Sequence, residues 1–305
     1  MIAQAIQEAV RFILPSFRSF RLWNDEAGLT QPLGLIKDEK GGQNIMIEVH
    51  SISFRYHEDW VLQEVSFRVE KGEFVGVIGP NGSGKTTLLK ILYRLLAPQH
   101  GEILFELVPM KKMDRADIAK RIAVVAQETH LLFPFTVLET VLMGRSPYLG
   151  HLMFESEKDV EIARKAMEWT SILPLSERPM DELSGGERKR VFIARALAQE
   201  PEVILLDEPT ANLDIHHQID FLDLILALNR ERGLTIVMAS HDMNMASEFC
   251  DRLILLQRGR IYKTGPPGEV ITRENIESVY GCEVWVDQHP ISGMPRISLM
   301  KKGGL

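Results

Sequence analysis

One eight-residue run limits the possible folds of this chain more than any other feature. Gly79-Pro80-Asn81-Gly82-Ser83-Gly84-Lys85-Thr86 follows an apolar segment, Phe74-Val75-Gly76-Val77-Ile78, and precedes a helical pattern carrying Leu88, Leu89, Ile91, Leu92 and Leu95. The run matches the phosphate-binding loop, which requires a strand before it and a helix after it. Its glycines let the backbone wrap closely around a triphosphate with the N–H groups pointing inward. The helix that follows offers its positive dipole end to the same anion. Lys85 can reach the β- and γ-phosphates, the Thr86 hydroxyl can ligate Mg²⁺, and Thr87 can bond an α-phosphate oxygen. A chance glycine-rich turn is the plainer alternative, and the flanking strand and helix argue against it.

The rest of the pattern agrees with an α/β fold. Ile47, Val49 and Ile52, then Val65, Phe67 and Val69, read as short strands with partial alternation. Residues 203–206 and 235–239 read as two further buried strands, and apolar strands alternating with helices indicate a parallel sheet. Residues 131–198 are poor in strand signals and read as an inserted helical subdomain. The strand Val203-Ile204-Leu205-Leu206 ends in Asp207 and Glu208, and a central parallel strand delivers its C-terminal residues to the ligand edge. Asp207 is placed to hold Mg²⁺, and Glu208 to act as general base toward an attacking water. Taken alone, two surface carboxylates capping the next segment would compete with this reading.

A phosphate-binding loop occurs in many enzymes, so Leu183-Ser184-Gly185-Gly186-Glu187 decides which kind this is. The run resembles the signature sequence of ABC transporter ATPases and stands just before the acidic strand, where that family places it. Physically, Ser184, Gly185 and Gly186 open a helix over residues 188–197 and offer a hydroxyl, free N–H groups and a dipole to a γ-phosphate. An ordinary capped helix start would use the same residues. The resemblance covers about residues 45–265. It implies a P-loop, RecA-like core with an N-terminal antiparallel β-subdomain and the helical insertion. It also implies ATP and Mg²⁺ as ligands, with ATP held between two copies of the chain. Tyr56 then corresponds to the aromatic residue that stacks on adenine, and Gln127 to the Q-loop glutamine linking Mg²⁺ and the attacking water to the helical subdomain. Asp214, in Asn212-Leu213-Asp214, corresponds to the D-loop carboxylate, and His241 to the switch histidine on the γ-phosphate. His216 and His217 read as structural.

Within the family, Phe133-Pro134-Phe135-Thr136-Val137-Leu138-Glu139-Thr140-Val141 and Gly144-Arg145-Ser146-Pro147-Tyr148-Leu149-Gly150 are similar to the ATPases of iron-chelate, haem and cobalamin importers. In that group the segment lines a groove for a helix of the membrane subunit. The resemblance therefore implies permease partners on separate chains, a substrate-binding protein acting through them, and a place on the cytoplasmic face of the cell membrane. The alternatives are the ATPase of a metal-ion importer or exporter, a soluble ABC ATPase of translation or DNA repair, and a regulatory module that hydrolyses ATP poorly. Tandem cassettes and long coiled-coil insertions, common in the soluble group, are not seen, and intact Glu208 and His241 argue against the regulatory module.

Composition bounds what remains. A net charge of −7 gives no sign of a nucleic-acid binder. Two cysteines, Cys250 and Cys282, form no metal-binding spacing and suit a reducing compartment. Residues 1–45 look different from the rest: Ile2, Ile6, Ala9, Val10, Ile13 and Phe17 recur at helical spacing with arginines among them, which could form a membrane-surface helix. The plainer expectation is a mis-assigned leader, because Lys40-Gly41-Gly42 can be encoded by a ribosome-binding sequence upstream of Met46. The expected organisation is then a nucleotide-binding domain at 46–267 and a small helix-plus-strand tail at 268–305.

Overall fold

The computed structural model describes residues 44–127, 134–149 and 155–300. The leader expectation, and Phe133 and Gly150 of the insertion motif, lie outside the described residues.

The first sheet is antiparallel. β1 (Ile45–Arg55) lies between β2 (Trp60–Glu70) and β4 (His100–Phe105), and β5 (Val108–Pro109) pairs with β4. The partial alternation of the sequence has a physical cause here. Val49 pairs with Phe67 and Ile52 with Val65, with a register shift between them. Ser51 sits in that shift at φ 44°, so the extra residue of a bulge returns Ile52 to the buried face.

The second sheet carries the site. It runs in the order β10-β9-β3-β8-β7-β6. β3 (Phe74–Ile78), β6 (Ile122–Val125), β7 (Val203–Asp207), β8 (Thr235–Ser240) and β9 (Arg252–Gln257) are parallel, and β10 (Arg260–Gly265) pairs antiparallel at the edge. Every residue of β3 and β8 is buried, as expected for strands covered on both faces. Successive side chains point to opposite faces. Phe74, Ile78, Ile204 and Leu206 therefore join a core with the helical layer, while Val75, Val77 and Leu205 join one with the antiparallel sheet.

Helix α1 (Lys85–Leu92) follows β3 and buries Leu88, Leu89, Ile91 and Leu92. It stops before Leu95, which was expected on it. Arg94 takes a left-handed φ of 59°, and the Leu95 and Leu96 N–H groups turn back to Lys90 O at 2.9 and 3.1 Å, leaving Leu95 exposed. α2 (Arg115–Arg121) leads into β6.

Between β6 and β7 come α3 (Val137–Leu142), a 3-10 turn (Met143–Tyr148), α4 (Glu157–Trp169) and α5 (Gly185–Ala198). Each of the three helices starts on a reciprocal cap, Thr136 with Glu139, Ser156 with Asp159 and Ser184 with Glu187. The spacing Ser/Thr-x-x-Glu/Asp satisfies two otherwise orphaned backbone donors at each start. Arg145 ties this layer together from a buried position. Its guanidinium donates to Asp159 Oδ1 at 2.9 Å, to Ala198 O at 2.7 Å and to Glu200 Oε2 at 2.8 Å, and stacks on the Tyr148 ring at 4.0 Å.

After β7, α6 (Ile215–Arg232) runs to Gly233, whose φ of 65° closes the helix, and α7 (Met243–Phe249) follows β8. The tail contributes α8 (Pro267–Val270), α9 (Arg273–Tyr280) and a hairpin of β11 (Val284–Gln288) with β12 (Pro295–Leu299). The hairpin docks on α7: Asn244 bonds the Ile297 backbone through both ends of its amide, at 3.1 and 2.7 Å, and Ser247 Oγ donates to Pro295 O at 2.8 Å. Among the described residues no helix is long and apolar enough to cross a membrane.

Breaking a buried ion pair strands its partner's charge, at a cost of about 3–5 kcal/mol. Arg145→Met should lower the unfolding free energy by about that amount, read from denaturant melts; wild-type stability would show that Arg145 does not hold the helical layer.

Candidate active site

The site forms where the carboxyl ends of β3, β7 and β8 meet, the edge at which open parallel sheets bind ligands. The turn after β3 is unusually tight. Gly79 has φ 149°, and a Cβ there would lie 2.4 Å from Leu256 O. Gly84 has φ 104°, and a Cβ there would lie 2.6 Å from a Leu62 methyl. Only glycine fits either position. The Ser83 N–H donates to Pro80 O at 3.1 Å, closing the loop. Asn81 and Gly82 are exposed at the rim, Pro80 is half-buried, and Ser83 and Thr87 are buried beneath. Ser83 Oγ is among the buried polar atoms without a protein partner.

Lys85 is buried and points back into the loop, donating from Nζ to Gly79 O at 2.8 Å and Pro80 O at 3.2 Å. Burial lowers its pKa, opposed by the charges of Glu208 and Asp207. From the neighbouring helix position Thr86 Oγ1 donates to Asp207 Oδ1 at 3.1 Å, so two of the three expected Mg²⁺ ligands stand side by side. Burial raises the Asp207 carboxyl above its usual range, with the Thr86 hydrogen bond acting against it.

Glu208 lies one residue past the end of β7 in left-handed backbone, φ 47°. Such a conformation costs on the order of 1–3 kcal/mol and persists where surroundings hold it. They do so here: the Glu208 N–H donates to Ala239 O at 3.0 Å, and the His241 N–H donates to Glu208 Oε2 at 3.2 Å. The His241 ring meets the same oxygen through Nδ1. The kink turns the carboxylate out of the strand and toward the cradle. With Gln127, these groups line a cleft of about 440 Å³. Asn81, Gly82, Gly84, Lys85, Thr86 and Thr87 line it from the loop and α1, and Glu208 and His241 from just past the ends of β7 and β8. Val61 also lines it; sequence reasoning missed this residue, because its apolar side chain reads as ordinary strand.

The other expected residues lie elsewhere. Tyr56 is half exposed, its ring set edge-on to Phe54 at 4.9 Å, and it is not among the residues lining the cleft. Ser184 caps α5: its Oγ accepts from the Glu187 N–H at 3.3 Å and donates to Glu187 Oε2 at 2.7 Å. Asp214 caps α6 by accepting from the His217 N–H at 3.0 Å. The two helix starts are neighbours. A Cβ on Gly185 would lie 3.7 Å from Leu213, and one on Gly186 only 2.9 Å from the His217 ring. Ser184, Gly185 and Asp214 are thus exposed together, outside the cleft of their own chain. Lys189 joins the two regions, donating from Nζ to Gln127 O at 3.0 Å.

A second groove of about 410 Å³ opens between the end of α1, α2 and the helical layer. Tyr93, Leu95, Ile118, Val124 and Met143 give it an apolar wall, and Arg94, Arg115 and Arg195 a basic one.

A glycine cradle with Lys85 and Thr86, a carboxylate pair at the end of β7 and a histidine after β8 define a P-loop ATPase. The comparisons narrow the class. The ABC transporter family matches residues 62–211. The ferric enterobactin transport ATP-binding protein of Escherichia coli is 39% identical over 246 residues, 81% of this chain and 91% of that one. The petrobactin import ATP-binding protein of Bacillus anthracis is 39% identical, covering 85% and 96%. The hemin import ATP-binding protein of Hahella chejuensis is 36% identical, covering 83% and 100%. Among solved structures, an inward-facing ABC transporter assigned to the metal-chelate type superposes with a TM-score of 0.76 at 29% identity, over 85% of this chain and 98% of that one. The chain belongs to the ABC transporter family as an ATP-binding subunit, and it hydrolyses ATP.

Hydrogen bonds to charged groups contribute about 1.5–3 kcal/mol each. Lys85→Ala should weaken ATP binding at least about tenfold in calorimetric titration; unchanged affinity would remove Lys85 from the phosphate site.

Proposed function

We propose that two copies of this chain clamp ATP between them and drive transmembrane permease subunits in the import of an iron–siderophore, haem or cobalamin. The observation that carries this reading is the split between two groups of residues. Lys85, Thr86, Glu208 and His241 line one cleft, with Asp207 bonded to Thr86 behind it, while Ser184, Gly185 and Asp214 stand exposed outside it. A γ-phosphate in the cradle can meet the capped turn only if that turn comes from a second copy. A dimeric ABC transporter cassette of 31% identity, TM-score 0.64, supports the arrangement. The relatives named for enterobactin, petrobactin and hemin support the cargo class.

Each residue has a distinct task. The loop N–H groups of residues 79–84 and Lys85 hold the phosphates. Thr86 Oγ1 and Asp207 Oδ1, 3.1 Å apart, are the hard oxygen donors that would hold Mg²⁺, with Gln127 at the same cleft. Bound there, Mg²⁺ neutralises charge on the β- and γ-phosphates. Glu208 accepts a proton from the attacking water as its oxygen bonds the γ-phosphorus. The bond to the bridging oxygen then breaks, giving ADP and phosphate. His241 holds the carboxylate of Glu208 in place through Nδ1 and its N–H. Tyr56 serves as the adenine platform at the rim, and Asp214 faces the partner copy.

Hydrolysis removes the phosphate that bridges the two copies and lets them part. The apolar and basic groove beside Tyr93, Leu95 and Met143 suits an amphipathic helix of a permease, so opening and closing would pass to the membrane subunits. This places the chain at the cytoplasmic face of the cell membrane, with a substrate-binding protein acting through the permease.

Removing a general base typically costs about 10²–10⁴ in rate. Glu208→Gln should therefore keep ATP binding, lose turnover on that scale and form dimers when ATP is added, seen by light scattering. Adding Ser184→Arg should return the protein to monomers. Wild-type turnover in the first variant, or undiminished dimers in the second, would overturn the proposal.

A further inference from the structure

The first turn of α6 carries a cluster that ATP chemistry does not use. His216, His217 and Asp220 each offer a ligand atom, and all three atoms lie within 4.8 Å of one another. His216 and Asp220 are four residues apart on a helix, so they share a face. Their Nε2 and Oδ2 atoms are 3.7 Å apart, and the two imidazole rings are 5.5 Å apart and tilted by 33°. Arg190 of α5 holds the same Asp220 Oδ2 at 3.3 Å and leaves Oδ1 available to a ligand. The His216 side chain is 80% exposed, so an ion can enter from solvent.

We propose that His216, His217 and Asp220 bind a divalent transition-metal ion, and that its occupancy slows ATP turnover. Two imidazole nitrogens and one carboxylate oxygen are a ligand set suited to Zn²⁺, with a fourth position left to water. The alternative reading of the histidines as structural fits His217, whose ring lies against the Gly186 backbone. His216 and Asp220 form an i,i+4 pair at 3.7 Å on the exposed side of the same turn, which sets a second imidazole and a carboxylate beside His217.

The position gives the ion something to act on. A Cβ on Gly186 would lie 2.9 Å from His217 Cγ and 3.0 Å from Nδ1, so the imidazole is pressed flat on the signature turn. The His217 N–H also binds the Asp214 carboxylate at 3.0 Å. An ion joining His217 to His216 and Asp220 would fix the start of α6 against Gly186, beneath the exposed Ser184 and Gly185, and against Asp214, which faces the partner copy. This consequence for turnover rests on the proposed dimer; the binding of the ion does not.

The test uses the full chain without nucleotide, titrated with Co²⁺ and followed by its ligand-field absorption, then with Zn²⁺ in competition. The wild type should take up one ion through this cluster. His216→Ala should weaken binding at least about tenfold, the scale on which even outer contacts of a metal site matter. Asp220→Asn should do the same. No uptake by the wild type, or equal affinity in His216→Ala, would overturn the site. In a second arm, buffered Zn²⁺ should lower ATP turnover at least twofold in the wild type and leave His216→Ala unaffected. A wild type saturated with Zn²⁺ and hydrolysing ATP at full rate would overturn the brake. Absence of ATPase activity with Mg²⁺ supplied, in protein stripped of transition metal, would instead count against the proposed function, with the binding result still standing.

Discussion

Gly79 is pressed so closely on the carbonyl of Leu256 that a single methyl group would lie 2.4 Å from it. That contact fixes where the chain leaves β3, and the rest of the site is arranged around it. The turn can then wrap tightly, with Lys85 folded back onto the carbonyls of Gly79 and Pro80 and Thr86 set beside Asp207. The parallel sheet brings the remaining chemistry to the same edge, because β8 lies between β3 and β7, pairs in register with both, and the three end together. Glu208 completes the site through strained backbone held by Ala239 and His241.

In the proposed dimer, the cradle of one copy is completed by the exposed turn of the other. Lys85 is hydrogen-bonded within the cleft to two carbonyls, whereas the exposed turn at Ser184 and the cap at Asp214 satisfy only themselves. Their local caps explain how α5 and α6 start, and leave both helix ends free to meet an anion. Lys189, bonded to Gln127 O, links the cleft to α5, so movement of one would be felt by the other.

Much of this was legible in the sequence because the chemistry dictates the spacing. A strand, a glycine turn and Lys85-Thr86 can be read as one object, and Asp207 and Glu208 are visible as charges at the end of an apolar run. Four features were not legible. Val61 lines the cleft but has the pattern of any strand residue. Leu95 continued the helical period, yet the left-handed turn at Arg94 ended α1 first, since period alone does not show backbone sign. Tyr56 was chosen by resemblance, and its half-exposed position, outside the cleft lining, follows from β1 ending at Arg55. The convergence of His216, His217 and Asp220 depends on rotamers that spacing leaves open.

The central claim is that one chain holds only half of each ATP site. The most direct test is the rate of ATP hydrolysis per chain, measured on the isolated subunit across a dilution series that spans monomer and dimer by light scattering. The rate per chain should rise with protein concentration and level off as dimers saturate. A constant rate per chain down to dilutions where only monomers remain would contradict the account.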